Sequence, residues 1–431
     1  MAARVHLDPA AIASAQLEQL RALLAELIPA NKFYTGKLQA AGVGFDLASL
    51  ADFSARFPFT TKAELLADQL AHPPHGSNLT YPSDCYTRFH QTSGTSGTPL
   101  RWLDTPESWD AMIESWAEIF RAAGIGRGDR VMFAFSFGPF LGFWLAFESA
   151  ARLGCLCLPG GGLSSAARLR GMRDNQANVL CCTPTYALRL AEVAAEEKIE
   201  TGALGVKIII VAGEPGGSIP ATRAKLELLW PGARIFDHHG MTEVGPVTYE
   251  CPEQPGRLHV IESAYFAEVI DPMTGKPAPR GELILTTLTR TGSPLLRYRS
   301  GDLVKLSTPQ APRSTPCICG RHELILEGGI LGRVDDMIIV RGVNVYPTAV
   351  EEILRRFGDV AEYRVHVHRA TALTELRIEI EPTDFCRDVP ALAAAVQAAL
   401  HAAFNLRLPV EAVAPGSLPR FELKARRWVR D

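Results

Sequence analysis

Over residues 130–211, short apolar runs alternate with segments that have the periodicity of a helix. Strands are predicted at residues 130–136, 155–158, 179–182 and 207–211, with helices between them at 139–153, 165–175 and 186–197. Alternation of this kind is typical of parallel strands whose two faces are covered by helices. We therefore expect an α/β fold in which ligands bind beyond the carboxyl ends of the strands.

The pattern changes near residue 332, where a second domain is expected to begin. The segment GRVDDMIIVRGVNVYP, residues 332–347, predicts a turn, a short strand and a loop, followed by a helix that Thr348 and Glu351 would cap. Two strands with alternating polarity and another helix come next. We predict a large N-terminal domain of parallel or mixed sheets covered by helices, residues 1–332, and a small mobile α+β domain, residues 333–431.

The charge balance argues against nucleic acid and anionic membranes as partners, because 44 basic residues accompany 47 acidic ones and the net charge is -3. The most apolar stretch, residues 131–147, is short for a membrane span and is interrupted by Gly138 and Pro139, so it predicts a strand, a turn and a helix. The N-terminal segment contains Asp8 and Glu18 without the apolar core of a secretory signal. These observations predict a cytoplasmic protein whose partners are small molecules.

Residues 91–100, QTSGTSGTPL, form a segment rich in glycine and hydroxyl side chains. Glycine permits close backbone approach, and free N–H groups and hydroxyls can point at phosphate oxygens. The segment is not a Walker loop, because no lysine follows its last glycine. On its own it is compatible both with a phosphate-binding loop and with a flexible linker.

Five further segments follow this loop along the chain: VAGEPGG (211–217), HHGMTEVGP (238–246), LRYRSGDL (296–303), GRVDDMIIVRGVNVYP (332–347) and GSLPRFELKARRW (416–428). In this order they resemble the signature segments of the adenylate-forming superfamily, which contains acyl-CoA synthetases, adenylation domains and luciferases. The resemblance is strongest to its phenylacetate-CoA ligase-like branch and covers residues 90–428. It implies an ATP-dependent, AMP-forming carboxylate–CoA ligase that passes its substrate through an acyl-adenylate.

The resemblance assigns several residues to the phosphates of ATP. The phosphate loop corresponds to Thr92, Ser93, Gly94, Thr95, Ser96, Gly97 and Thr98. Thr98 stands where relatives often have a lysine. Thr242 is expected to contact the α-phosphate, and Glu243 to bind Mg²⁺, a hard cation that prefers oxygen ligands. Without the accompanying motifs, their segment would also fit a turn with a solvated glutamate.

Adenine and ribose have their own expected contacts. Gly213, Glu214 and Pro215 are expected to flank the adenine, and His239, Gly240 and Met241 belong to a second segment beside it. His239 stands where relatives commonly have an aromatic residue. Asp302 is expected to bind both ribose hydroxyls, because an ionised carboxylate offers two acceptors. Arg333 can reach ribose or phosphate with its forked donors. Glu214 and Asp302 would otherwise be ordinary loop residues.

The C-terminal segment contains residues that the resemblance connects with the two half-reactions. Lys424 aligns with the lysine that approaches the reacting carboxylate and the α-phosphate, so it joins Thr242 and Glu243 in the expected catalytic set. Asp335 lies at the expected hinge, and Gly342 is expected to line a tunnel for the CoA thiol. The sequence FEL replaces the commoner SEG before Lys424, and a lysine near a chain end is usually solvated.

Cys317 and Cys319, separated by one residue and followed by Gly320, resemble a metal knuckle. Two ligands do not fill the tetrahedral shell of Zn²⁺, and Cys251 and His259 would complete a Cys₃His site. Some members of the branch carry a comparable structural zinc. The alternative is three reduced thiols and a surface histidine.

The sequence leaves the substrate and the acyl acceptor open. Aromatic residues occur in or near segments that line the acyl pocket in relatives: Phe135, Phe137, Phe140, Phe143 and Tyr186. They would suit an aromatic or arylacetic acid, but they would equally fit a protein core. Besides CoA, the acceptor could be an amine, a hydroxyl or a carrier-protein thiol, and a non-catalytic nucleotide-binding protein is a third interpretation. Relatives are often dimers, so a homodimer is compatible with the resemblance.

Overall fold

The computed structural model describes residues 7–92, 98–307, 315–341, 343–370, 373–422 and 424–430. Discontinuous stretches of the chain form two units. The first unit contains Met1–Gly161 and Asp237–Gly329, and the second contains Gly162–Phe236 and Ile330–Asp431. Within the described ranges, no helix is both long enough and apolar enough to cross a bilayer.

The described helices and strands are as follows. The α-helices are α1 (Pro9–Leu27), α2 (Lys32–Ala40), α3 (Leu50–Arg56), α4 (Lys62–Ala71), α5 (Pro106–Ala123), α6 (Leu141–Arg152), α7 (Ser165–Asp174), α8 (Pro184–Glu196), α9 (Pro220–Leu229), α10 (Pro347–Arg355) and α11 (Val389–Phe404). The first twelve strands are β1 (Arg88–Gln91), β2 (Arg101–Asp104), β3 (Arg130–Phe133), β4 (Leu156–Pro159), β5 (Val179–Cys182), β6 (Ile208–Val211), β7 (Arg234–Asp237), β8 (Gly240–Met241), β9 (Gly245–Pro246), β10 (Thr248–Glu250), β11 (Arg257–Val260) and β12 (Tyr265–Ile270). The others are β13 (Arg280–Thr287), β14 (Tyr298–Lys305), β15 (Ile325–Glu327), β16 (Gly332–Arg333), β17 (Ile338–Val340), β18 (Val343–Val345), β19 (Val360–Ala370), β20 (Leu373–Pro382), β21 (Val410–Ala412) and β22 (Trp428–Arg430).

The predicted alternation of parallel strands and helices is confirmed. In the first unit β3 and β4 pair in parallel, and in the second unit β5 and β6 do the same. Every residue of β5 is buried, as expected for a strand covered on both faces. Because α6 follows β3 after a turn, the apolar stretch 131–147 is a strand, a turn and a helix, as predicted. The fold class is α/β.

Antiparallel strands complete the first unit and position two parts of the site. β12, β13 and β14 form one antiparallel sheet, and β10, β11 and β15 form another. Along β14 buried residues alternate with less buried ones, so Tyr298, Ser300 and Asp302 share the buried face. β8 and β9 form a two-stranded ribbon whose turn contains Thr242 and Glu243.

Residues 330–431 have a hydrophobic core of their own, to which β19, β20, α10 and α11 contribute. β19 and β20 pair antiparallel, while β22 and β21 add parallel strands at the two edges. This α+β arrangement agrees with the sequence, but the predicted capping pair is wrong. α10 begins at Pro347 without a side-chain cap, since the Thr348 hydroxyl donates to the Leu331 carbonyl oxygen and Glu351 pairs with Arg355.

Buried charges connect Arg427, directly before β22, to β19 and α10. Arg427 donates from Nε and Nη2 to the Glu362 carboxylate at 2.7 and 3.0 Å, and its Nη1 lies 3.7 Å from Glu351 Oε2. Arg355 Nε lies 2.8 Å from Glu351 Oε1. Burial alone would raise the pKa of Glu351, but the guanidinium groups of Arg355 and Arg427 outweigh burial and lower this pKa to about 2. The folded chain therefore favours the charged carboxylate.

Acid should weaken the fold through Glu351. Its folded-state pKa of about 2 lies below the ordinary value of 4.5, so the carboxylate stabilises the fold fully above its ordinary pKa and loses this contribution as the pH falls toward 2. We expect Glu351→Gln to lower the free energy of unfolding at neutral pH by about 3 kcal/mol and to flatten its pH dependence in the acid range. Urea unfolding measured across this range tests the expectation, with the exposed Glu375→Gln as control. An unchanged acid slope in Glu351→Gln would contradict it.

Candidate active site

Thr242 and Glu243 occupy the tight turn between β8 and β9, in which Gly240 pairs with Pro246. Gly240 has no room for a side chain, because a Cβ atom there would lie 2.8 Å from the Gly245 carbonyl oxygen. Thr242 is half-buried and Glu243 is 6 % exposed. The close approach of the two strands therefore sets the turn that carries two of the predicted catalytic residues.

Among the described residues of the first unit, two polar groups lie beside the Glu243 carboxylate. Lys62 Nζ lies 3.3 Å from Glu243 Oε1, and the Tyr298 hydroxyl donates to the same oxygen at 3.4 Å. Lys62 is the first residue of α4, directly after the N-cap Thr61. The turn thus combines a carboxylate, which is the kind of ligand that Mg²⁺ prefers, with a cation suited to phosphate.

His239 and Asp302 lie together near this turn. His239 Nε2 is 3.0 Å from Asp302 Oδ2, and the His239 N–H donates to Thr248 Oγ1 at 2.8 Å. Asp302 is 3 % exposed, and its own N–H donates to Ser300 Oγ at 3.0 Å. The two residues predicted to contact adenine and ribose are thus brought together by β14 and the segment before β8.

The expected phosphate loop is described at its two ends. Thr92 N–H donates to the Leu100 carbonyl oxygen at 2.9 Å, and Leu100 N–H donates to Thr92 Oγ1 at 3.0 Å, so these residues close the base of the loop. Thr98 is exposed. Residues 93–97 and Gly342 lie outside the described residues.

In the second unit, the predicted catalytic lysine lies against the loop that follows β6. Gly213 has a φ of 92°, and a Cβ atom built on it would lie 3.4 Å from Lys424 Cε. The half-buried Glu214 carboxylate accepts from the backbone N–H groups of Thr185 at 2.9 Å and Ala425 at 2.8 Å. Thr185 lies in the first turn of α8, where unpaired N–H groups and the helix dipole favour a carboxylate. One side chain therefore holds the start of a helix and the backbone next to Lys424.

Arg333 and the expected hinge residue Asp335 form an ion pair with 2.9 Å between Nε and Oδ1. Their side chains are 38 % and 68 % exposed. Exposed pairs of this kind typically contribute about 0–1 kcal/mol, so Arg333 can change partner with little loss of stability.

Of the remaining predicted nucleotide residues, Pro215 is exposed and Met241 is half-buried.

Aromatic side chains of β3, α6 and the turn between them form a cluster in the first unit. Phe135 is buried and stacks on Phe143 with 4.0 Å between ring centroids, and Phe140 approaches Phe143 edge-on at 6.1 Å. Phe137 packs edge-on against Trp144 at 5.0 Å, and Trp144 is 36 % exposed. One side of the cluster therefore belongs to the core, and the other borders solvent.

Tyr186 belongs to the second unit and is buried in it. Its hydroxyl lies 2.9 Å from Ser165 Oγ and accepts a hydrogen bond from Arg168 Nη1. Burial raises the pKa of this phenol, although Ser165 and Arg168 oppose the change. The hydroxyl is thus engaged by neighbouring protein groups.

Four predicted metal ligands converge in the first unit. The ligand atoms of Cys251, His259, Cys317 and Cys319 all lie within 4.8 Å of one another. Cys251 Sγ is 3.6 Å from Cys317 Sγ, and Cys319 Sγ is 3.5 Å from His259 Nε2. Tetrahedral zinc with Zn–S bonds of about 2.3 Å places two sulfur ligands roughly 3.8 Å apart. The donor set and its spacing therefore fit a structural zinc ion.

Three residues of the site lie outside the segments that the sequence singled out. They are Lys62 beside Glu243, Arg290, which donates to the carbonyl oxygens of Thr242 and Glu243, and Asp104, which pairs with Arg290. Asp104 and Arg290 are 186 positions apart, so no local pattern connects them. For Lys62 the available signal was the capping pair Thr61 and Glu64, which marks the start of α4.

Comparisons with known proteins show the family of the chain. The family model described as AMP-binding enzyme matches residues 89–286, and the one described as AMP-binding enzyme C-terminal domain matches residues 342–431. The phenylacetate-coenzyme A ligase of Thermus thermophilus is 34% identical over 87% of this chain and 82% of its own. The chain belongs to the adenylate-forming superfamily, in its phenylacetate-CoA ligase-like branch. The phenylacetate-coenzyme A ligase of Escherichia coli is 31% identical over 88% of this chain and 86% of its own.

Solved structures extend the comparison of this adenylate-forming enzyme. A 2-hydroxyisobutyryl-CoA ligase in the postadenylation state with 2-HIB-AMP matches with a TM-score of 0.92 and 30% identity, covering 99% of this chain and 91% of that chain. The same ligase with 2-HIB-AMP and CoA in the thioesterification state matches with a TM-score of 0.72 and 31% identity, covering 97% and 89%. The protein is an AMP-forming acid–CoA ligase, and its substrates are a carboxylic acid, ATP and CoA.

Proposed function

We propose that this ligase activates an aromatic or arylacetic acid. The aromatic cluster supports this, because Phe135, Phe143 and Trp144 offer stacked and edge-on surfaces of the kind that aromatic rings prefer. The relatives from Thermus thermophilus and Escherichia coli, both phenylacetate-coenzyme A ligases, support it as well.

The proposed reaction has two steps. A carboxylate oxygen of the acid attacks the α-phosphorus of ATP, a new bond forms between that oxygen and phosphorus, and the bond to the β-phosphate breaks to release pyrophosphate. The CoA thiolate then attacks the acyl carbon, and AMP leaves with the electrons of the broken carbon–oxygen bond. Both steps depend mainly on orientation and on stabilisation of negative charge.

Residues of the first unit would hold the nucleotide. Asp302 would accept from the ribose hydroxyls with His239 beside the base, and Thr242 would donate to the α-phosphate. Glu243 would hold Mg²⁺, which supplies positive charge to the phosphates when bound. Lys62, 3.3 Å from Glu243, would provide a side-chain cation that the loop lacks because Thr98 replaces the lysine of many relatives.

The position of Lys424 carries the proposal most directly. A lysine near a chain end is ordinarily solvated and mobile. Here its side chain lies against Gly213, and the next residue, Ala425, is held through its N–H by Glu214. With the backbone beside it held, the exposed Lys424 ammonium group would stabilise the negative charge that develops on the α-phosphate as the carboxylate attacks.

The second step would require a different arrangement of the small domain. We take residues 1–332 and 333–431 as the two moving parts, with Asp335 as the hinge. The weak ion pair between Arg333 and Asp335 would allow Arg333 to exchange partners during rotation. Gly342 would then provide the thin backbone beside the CoA thiol.

One observation favours a second substrate class. The structure with a TM-score of 0.92 is a 2-hydroxyisobutyryl-CoA ligase, so a small aliphatic hydroxy acid is the alternative substrate. An amine, a hydroxyl or a carrier-protein thiol as acceptor is disfavoured by the CoA ligases among the relatives. The homodimer and the cytoplasmic location remain predictions from the sequence.

Exchange of pyrophosphate into ATP should depend on an aromatic acid. We expect phenylacetate and benzoate to support exchange with a kcat/KM at least about tenfold above that of acetate and 2-hydroxyisobutyrate, because the smaller acids leave aromatic surface uncovered. Addition of CoA to the active acids should then yield the thioester. If 2-hydroxyisobutyrate is the best substrate, the aromatic assignment is wrong and the aliphatic alternative takes its place.

Lys424→Ala should lose adenylate formation selectively. We expect pyrophosphate exchange to fall by about 10³-fold, while thioester formation from supplied acyl-adenylate and the unfolding midpoint change little. Lys207→Ala, which removes an exposed lysine of the same unit, is the matched control and should keep full activity. Full exchange activity in Lys424→Ala would remove this lysine from the mechanism.

The four converging cysteine and histidine ligands would hold a structural zinc ion. Thiolate and imidazole donors bind zinc, whereas a hard cation such as Mg²⁺ prefers oxygen ligands. The ion would fasten the turn at Cys317 and Cys319 to β11 and to the segment after β10. It has no part in the proposed chemistry of the acyl transfer.

Protein isolated without chelators should contain about one zinc per chain by elemental analysis. The double variant Cys317→Ser with Cys319→Ser should lose the metal and melt at a lower temperature, since two of four ligands are gone. Cys85→Ser, at an exposed cysteine, is the control and should keep both properties. Less than about a tenth of an equivalent in the unsubstituted protein would rule out the zinc site.

A further inference from the structure

We propose that Arg290, held by Asp104, is a positioning residue that orients Glu243 for nucleotide binding and the first chemical step. The inference rests on the proposed role of Glu243 in holding the metal of the ATP complex. Arg290 and Asp104 lie outside the motifs that carry the resemblance to the superfamily. Both lie in the first unit, with Asp104 at the end of β2 and Arg290 after β13.

Within the described part of the chain, the Arg290 guanidinium makes four hydrogen bonds. Nε and Nη2 donate to the two carboxylate oxygens of Asp104 at 2.6 and 2.7 Å, which is the bidentate geometry of a strong ion pair. Nη1 donates to the carbonyl oxygens of Thr242 and Glu243, each at 2.9 Å. The guanidinium also lies over the Trp102 ring, 5.2 Å from its centroid.

The two carbonyl contacts fix the turn on both sides of Glu243. A peptide unit is planar, so a bond to the Thr242 carbonyl sets the plane that precedes the Glu243 Cα atom. A bond to the Glu243 carbonyl sets the plane that follows it. The direction in which the Glu243 side chain leaves the backbone is therefore determined by one nitrogen of Arg290.

Burial makes this arrangement rigid. The Arg290 and Asp104 side chains are 1 % and 0 % exposed. Burial alone would raise the pKa of Asp104, but Arg290 and His90 lower it, so the carboxyl stays charged. Lysine cannot replace the arginine here, because its single ammonium group lacks the planar fork that reaches a carboxylate and two carbonyls together.

A second buried arginine of the same unit provides a matched control. Arg297 donates from Nε and Nη2 to the Glu268 carboxylate at 3.0 Å each, and from Nη1 to the Phe57 carbonyl oxygen at 2.6 Å. It therefore repeats the bidentate pair and the backbone contact of Arg290 without contacting the Thr242–Glu243 turn. An effect that comes only from lower stability should therefore appear in both Arg290→Lys and Arg297→Lys.

The test compares Arg290→Lys, Arg297→Lys and Glu243→Gln with the unsubstituted ligase. For each, the affinity for ATP is measured by calorimetry with Mg²⁺ and with excess chelator, beside the melting temperature and the kcat and KM of pyrophosphate exchange. We expect Arg290→Lys to lose most of the Mg²⁺-dependent gain in ATP affinity and to lower kcat about a hundredfold, as misplacement of a catalytic group does. Arg297→Lys should melt at a lower temperature but keep both the Mg²⁺-dependent gain and kcat.

A double variant covers the case in which Arg290→Lys does not fold. Asp104→Leu with Arg290→Met removes both buried charges together, which leaves neither unpaired and is often neutral for stability. We expect it to melt near the unsubstituted protein while showing the same loss of kcat and of the Mg²⁺-dependent gain.

Two results separate the inference from the proposal beneath it. If Glu243→Gln loses the Mg²⁺-dependent gain while Arg290→Lys and the double variant differ from Arg297→Lys only in melting temperature, the positioning role is wrong and the role of Glu243 stands. If Glu243→Gln keeps the Mg²⁺-dependent gain in ATP affinity, the metal role of Glu243 is wrong. The kcat of pyrophosphate exchange in the Arg290 variants then shows whether Arg290 has a positioning role. Unchanged kcat in both Arg290 variants would overturn it.

Discussion

The Glu214 carboxylate joins the loop after β6, the start of α8 and the backbone beside Lys424. A lysine near the chain end can act in catalysis only when its backbone is held, because an unrestrained chain end does not keep its side chains in one position. The N–H groups of Thr185 and Ala425, bound to one carboxylate, provide this restraint at the residue that follows the lysine. In the proposed mechanism, the first half-reaction depends on this interaction.

In the first unit a positively charged side chain, instead of a negatively charged one, holds the backbone beside a predicted catalytic residue. Arg290 donates to two carbonyl oxygens of the Thr242–Glu243 turn, whereas Glu214 accepts from two amides. In both places a charged side chain binds backbone groups at the end of a secondary-structure element or in the turn between two strands. Charged hydrogen bonds are stronger than neutral ones, which suits them to segments with few other contacts. Catalytic residues thus lie on turns, while the charges that fix the turns come from distant parts of the chain.

The sequence predicted those features of the structure that depend on neighbouring residues. The alternating strands and helices from β3 to β6 were predicted because periodicity and burial act over a few residues, and the cysteine and histidine cluster was predicted from ligand type and spacing. Arg290 and Asp104 could not be predicted, because their bond joins positions that only the fold brings together. The cap of α10 was predicted wrongly because Thr348 has a tertiary partner, the Leu331 carbonyl, that the helix sequence does not reveal.

Transfer of oxygen from the acid to the nucleotide tests the central claim most directly. The acid is labelled with ¹⁸O in its carboxylate, and the products of a complete turnover with ATP and CoA are examined by mass spectrometry. Attack of the carboxylate on the α-phosphorus predicts AMP that carries one ¹⁸O atom and pyrophosphate that carries none. Label in inorganic phosphate together with ADP, or no label in AMP, would contradict the adenylation mechanism.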